Sequence, residues 1–193
     1  MNYHTALDIS PEPFSQAGFD LMNYHKSLNP NKHFRAFLNV SKHIRPEVVE
    51  LLSRYNLIIR FIELFYTPAN RTSLIHIDGE PSAYMIPNNM AKINYIGGGE
   101  GSQMHWYQPI VHKQHEPTEG NKFISFQPDE VTLVGSSNLK GYNIAQTGIP
   151  HNITTANNSR YCVSMTLAVK GETPKMIPYE MMVALLAPHQ LLH

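Results

Sequence analysis

Between Leu57 and Val169 the chain reads as short runs rich in Ile, Val, Leu, Phe, Tyr and Thr, each broken by a cluster of Pro, Gly, Asn or Ser. Runs of that length between turn residues predict β-strands that follow one another in antiparallel fashion. The pattern places them over Leu57–Tyr66, Ser73–Ile77, Ala91–Ile96, Met104–Pro109, Lys122–Phe126, Glu130–Val134, Tyr142–Ala145, His151–Thr154 and Tyr161–Val169. Upstream, Val48, Val49, Leu51, Leu52 and Tyr55 recur at helical spacing behind Pro46, whose missing N–H costs nothing in a first turn. This is the one regular helix the pattern predicts in the first half, and its apolar stripe needs a sheet to cover. His33 to Val40 reads as a further strand, and Tyr179 to Ala187 as a terminal helix packed on the outside. Residues 1 to 30 carry Pro11, Pro13, Gly18 and Pro30 among scattered aromatics, which predicts irregular chain wrapped on the domain.

Many short strands in a stretch of this length predict a mainly β fold with flanking helices, a double-stranded β-helix (jelly roll, cupin-like). No internal repeat or linker divides the chain. It is read as one domain over residues 1–193, with a flanking segment 1–56, a β core 57–169 and an extension 170–193. The polar stretch His112 to Asn121 reads as a mobile loop.

Composition narrows the classes of function. Lys plus Arg and Asp plus Glu number 15 each, so the net charge is zero with histidine neutral. No basic run is present to track a phosphate backbone, and bulk nucleic-acid binding is not expected. No run of 18 apolar residues and no basic-then-apolar leader is found, so a soluble protein is expected. Cys162 is the single cysteine, which rules out an intrachain disulfide and suits a reducing, cytoplasmic setting. The 11 histidines turn attention to metals.

His76 and Asp78 are two apart at a strand end, so both side chains point to one face while Ile75 and Ile77 point to the other. An isolated H-x-D pair is weak, but His151 opens a later strand directly after Gly148-Ile149-Pro150. Two imidazoles and one carboxylate make a facial triad, whose open positions suit an Fe(II) oxygenase better than closed structural zinc. Arg160 follows nine residues after His151 and opens the most regular strand of the chain. On that strand Tyr161, Val163, Met165, Leu167 and Val169 form one face, and Arg160, Cys162, Ser164, Thr166 and Ala168 form the other. The second face is small and polar, leaving room in a barrel interior for a ligand whose carboxylate the guanidinium fork would meet.

His76-Ile77-Asp78, then His151, then Arg160 resembles the pattern of the 2-oxoglutarate and Fe(II)-dependent oxygenase superfamily, over roughly Leu57 to Val169. In that family the fold is a double-stranded β-helix. The resemblance implies that His76, Asp78 and His151 bind the iron and form the catalytic centre, and that Arg160 binds the distal carboxylate of 2-oxoglutarate. It implies dioxygen as the further reactant and succinate and carbon dioxide as products. The oxidised partner is an unidentified small molecule or side chain. Family members that halogenate carry a small residue where this chain has Asp78, so hydroxylation is the expected outcome.

Asn94 and Tyr107 lie on predicted core strands after the pair and are candidates to touch 2-oxoglutarate or substrate; each also reads as a satisfied polar residue of a sheet. His105 adjoins Trp106 on a strand and reads as packed or partly exposed. His112 and His115 read as solvated loop residues. The Gly97-Gly98-Gly99-Glu100-Gly101 run lacks the Lys-Ser/Thr ending of a phosphate loop and reads as a turn between strands. The alternative to an oxygenase is a cupin-like metal-binding or structural jelly roll that does not turn over 2-oxoglutarate.

Overall fold

A computed structural model describes residues 2–28, 30–78, 90–111, 123–171 and 177–191. Its strands form two antiparallel sheets. The larger has the order β1 (His4–Leu7), β9 (Gly141–Gln146), β5 (Ala91–Gly98), β11 (Arg160–Val169), β3 (Leu57–Thr67), β2 (Phe34–Phe37). The smaller has the order β7 (Phe123–Phe126), β4 (Ile75–Asp78), β10 (His151–Thr154), β6 (Gln103–Pro109), β8 (Val131–Ser137). From β3 to β6, and again from β8 to β11, consecutive strands alternate between the sheets. That winding is a double-stranded β-helix, and the fold is mainly β as the pattern of apolar runs predicts.

β11 lies in the middle of the larger sheet, paired along its length with β3 and over its first half with β5. Its Val163, Met165 and Leu167 face outward into the main core, with Ile62, Leu64, Ile93 and Ile144 from the same sheet face. Helix α3 (Pro46–Arg54) supplies Val48 and Leu52 to that core, and α4 (Tyr179–Leu185) supplies Tyr179 and Met182. Cys162 on the opposite face packs between the sheets with Ile96, Met104, Trp106, Leu139 and Ala145. A register shift at Thr166/Leu167, where Phe61 and Ile59 are successive partners, leaves Arg60 as an extra residue on β3. The bulge reverses the alternation there, so that Leu57 and Ile59 face the same core as Ile62 and Leu64 although their spacing is out of phase.

The N-terminal segment departs from the expectation of irregular chain. β1 pairs with β9 at the edge of the larger sheet, and α1 (Gln16–Leu28) is a helix of 13 residues. Gly18, which reads as a breaker, is a contact position: a Cβ there would lie 2.5 Å from the His43 carbonyl oxygen and 2.7 Å from Phe14 Cδ1. The helix closes against the short turn α2 (Val40–His43) because that side chain is missing. The strand expected over His33–Val40 is correspondingly cut to β2, since the Asn39 side chain accepts from Lys42 N at 3.1 Å and caps α2. The polar loop His112–Asn121 lies outside the described residues.

Trp106 fastens the two sheets from inside. It is 1% exposed and its Nε1 donates to the Gln146 carbonyl of the larger sheet at 2.9 Å. Trp106→Ala is therefore expected to cost about 3–5 kcal/mol of unfolding free energy, measured by denaturant titration.

Candidate metal centre

The register of the smaller sheet assembles the cluster. His151 on β10 pairs with His76 on β4 on one side and with Trp106 on β6 on the other, so the three side chains share the interior face. Asp78, two residues beyond His76, shares that face as well. The ring centroids of His76 and His151 are 4.5 Å apart. One ligand atom from each of His76, Asp78 and His151 lies within 4.8 Å of the others, close enough to hold one ion.

Both rings are oriented by the main chain in the same way. His76 Nδ1 donates to the Leu74 carbonyl at 2.8 Å, and His151 Nδ1 donates to the Ile149 carbonyl at 2.9 Å. A carbonyl oxygen only accepts, so the proton of each neutral ring sits on Nδ1 and Nε2 is the ring nitrogen that carries the lone pair. Burial and the neighbouring His76 push the His151 pKa down to about 4, so this ring is neutral at physiological pH. Burial would lower His76 too, but the Asp78 carboxylate outweighs it and its pKa is raised.

Asp78 has two partners. Its Oδ1 lies 3.5 Å from His76 Nε2 and its Oδ2 lies 2.9 Å from Lys92 Nζ on β5. Burial would raise the carboxyl, yet the Lys92 ammonium and the histidines hold it well below the usual carboxylate range. Lys92 Nζ is also 3.6 Å from Glu63 Oε2 on β3, and Arg35 on β2 donates to Glu63 Oε1 through Nε at 2.7 Å. Neither Lys92 nor Glu63 is a sequence candidate. The available signal is a charge at an interior position of an apolar strand, as in Phe61-Ile62-Glu63-Leu64-Phe65.

Arg160 is 6% exposed. Among the described residues no hydrogen bond or ion pair is made by its guanidinium, and burial lowers its pKa. Gly99 makes room beside it: at φ +67°, a Cβ would fall 2.7 Å from Arg160 Cβ and 2.9 Å from Ser102 Oγ. Gly97 and Gly98 thus end β5, paired with Tyr161 and Arg160, and only Gly99 to Gly101 make the turn to β6. Asn94 is in register with Ser164 of β11 and Asn143 of β9, and it is buried with an unpartnered Oδ1. Ser102 Oγ is likewise buried and unpartnered. The Cys162 thiol senses Arg160, Lys92, Asp78 and Glu63 together.

Tyr107 is not brought to the cluster. Alternation from Trp106 turns it to the outer face of the smaller sheet, where its hydroxyl donates to Asn152 Oδ1 at 3.1 Å and its ring packs beside Ile75, Ile77 and Phe126. His105 lies on that outer face too, with Nδ1 2.7 Å from Ser136 Oγ, and is half-buried as expected. His112 and His115 lie outside the described residues.

No family model and no curated protein matches the chain. Among solved structures, the viral collagen prolyl hydroxylase vCPH of Paramecium bursaria Chlorella virus-1, in complex with 2OG, is 11% identical over 86% of this chain and 95% of its own, with a TM-score of 0.42. The epimerase SnoN, in complex with Fe3+, alpha-ketoglutarate and nogalamycin RO, is 11% identical over 90% of this chain and 87% of its own, also at a TM-score of 0.42. E. coli ycfD is 14% identical over 65% of this chain, at a TM-score of 0.37, and the chain spans 28% of its length.

Burial pushes the Cys162 thiol up from 9.0 to about 11. At pH 8 that leaves roughly a hundredth of the thiolate of an ordinary cysteine. Alkylation by iodoacetamide at pH 8 is expected to be at least about a hundredfold slower in the folded protein than in urea, followed by mass spectrometry.

Proposed function

We propose that the chain is a 2-oxoglutarate- and Fe(II)-dependent dioxygenase that hydroxylates an unidentified small molecule or side chain. The observation that carries this reading is Arg160: a largely buried arginine whose guanidinium has no partner among the described residues, on the interior face of β11, in the barrel where two histidines and an aspartate come together. Burying an unpaired cation costs several kcal/mol, and a dianionic acid lying between Arg160 and the cluster would offset that cost. The donor set fits ferrous iron, since nitrogen and carboxylate oxygen from three residues leave coordination positions open. When bound, iron with 2-oxoglutarate and dioxygen supplies the oxidation and releases succinate and carbon dioxide.

The residues have separable tasks. His76 and His151 present Nε2 through their main-chain hydrogen bonds, and Asp78 supplies the negative charge. Arg160 holds the distal carboxylate by a paired, charge-assisted contact. Asn94 offers an amide that can turn its oxygen or its NH2 to the acid, and Ser102 offers a hydroxyl beside the Arg160 stem. Tyr107 takes no part, because it faces away. A cytoplasmic setting accords with this reading, since it keeps iron ferrous and Cys162 a thiol.

Mixing the protein anaerobically with Fe(II) and 2-oxoglutarate is expected to give a visible metal-to-ligand charge-transfer band that His76→Ala and Asp78→Ala abolish without unfolding the chain. Absence of the band in the unmutated protein would sink the proposal. Admitting oxygen is expected to release succinate, whereas metal binding without succinate would mark a metal-binding jelly roll instead.

Arg160→Leu is expected to weaken 2-oxoglutarate binding about 10- to 100-fold, the worth of a charged hydrogen bond, while leaving iron affinity nearly unchanged. Titration calorimetry of both variants measures it; equal 2-oxoglutarate affinities would remove Arg160 from the site.

A further inference from the structure

We infer that Lys92 is a positioning residue that occupies the outer oxygen of Asp78 and so restricts that carboxylate to a single bond to the metal. The inference rests on the reading of His76, Asp78 and His151 as the metal site. The two oxygens of Asp78 point to different partners, Oδ1 to His76 Nε2 at 3.5 Å and Oδ2 to Lys92 Nζ at 2.9 Å. Lys92 is 8% exposed, so its ammonium has little water to turn to. It is held from behind by Glu63 at 3.6 Å, which Arg35 fixes in turn. The chain of alternating charges from β2 through β3 and β5 to β4 thus ends on the one ligand whose denticity is variable.

Denticity matters because carboxylates bind metals through one oxygen or two. In an octahedral site, two histidines and one oxygen leave three positions, whereas a chelating aspartate leaves two. A keto acid that binds through two atoms fills a site of the second kind and leaves no position for dioxygen. A lysine that engages Oδ2 keeps the third position free. A purely structural Lys92, present only to neutralise Asp78 and Glu63, would make no difference to that number.

The two roles separate on Mn(II), a probe with which metal-bound water can be counted. EPR line broadening in 17O-labelled water is expected to report about three bound waters in the unmutated protein and about two in Lys92→Met. Circular dichroism and melting temperature establish folding. Should Lys92→Met not fold, Lys92→Met/Glu63→Gln, which also removes the carboxylate left behind, carries the same count. Three waters in the variant overturns the inference and leaves the metal site standing, as does a count of two in the unmutated protein. Failure of the unmutated protein to bind Mn(II) overturns the metal site and the inference together.

Discussion

The period-two pleat of β11 is the constraint on which the rest of the structure depends. One face of that strand fills the main core with Val163, Met165 and Leu167, and the other lines the interior with Arg160, Cys162, Ser164 and Thr166. A slip of one residue against β3 or β5 would send Arg160 into the apolar core and Met165 into the polar interior. Pairing from Arg160↔Thr67 to Val169↔Leu57, with a bulge where the apolar spacing of β3 changes phase, forbids the slip. Core packing and site chemistry are therefore enforced by the same register.

That interior also has to solve a charge problem. Asp78 and Glu63 come from opposite sheets, and neither carboxylate is tolerable in a barrel without a cation. Lys92 lies between them and answers both. Arg160 is the exception, since this largely buried residue has no anion beside it among the described residues. A guanidinium does not escape by losing its proton, as an amine can. The interior thus holds one neutralised group of charges, shared between the two sheets, and one charge left over at the Arg160 end of β11. The imbalance is a cost to folding that an anion bound within the barrel would offset.

The β core was legible because its evidence is local: apolar runs, turn residues and alternation all belong to short windows of sequence. The H-x-D pair and Arg160 were legible for the same reason, since two residues two apart, and a strand with one small polar face, announce their directions. Alternation applied to Met104-His105-Trp106-Tyr107 separates Trp106 from Tyr107 in the same way, and Tyr107 faces out by that rule. Other features were settled by contacts distant in sequence. Gly18 looks like a breaker until His43 is seen against it, and α1 packs closely on α2 through that approach. Lys92 and Glu63 are 29 positions apart and meet only when β5 and β3 flank β11. A charge within an apolar strand signals that a partner exists, without saying which residue it is.

The geometry of the cluster is set by contacts within the chain. Each histidine ring is fixed by a carbonyl two residues earlier in its own chain segment, a contact that needs only the local course of Leu74 to His76 and Ile149 to His151. Strand pairing then sets the two rings opposite each other, and Lys92 turns the aspartate. Main chain, sheet register and a salt bridge are three independent constraints on the same three side chains. Sites whose ligands come from flexible segments must spend binding energy on ordering the chain, as zinc fingers do. Here the three side chains stand on strands, so an ion held by them would not have to order the chain first.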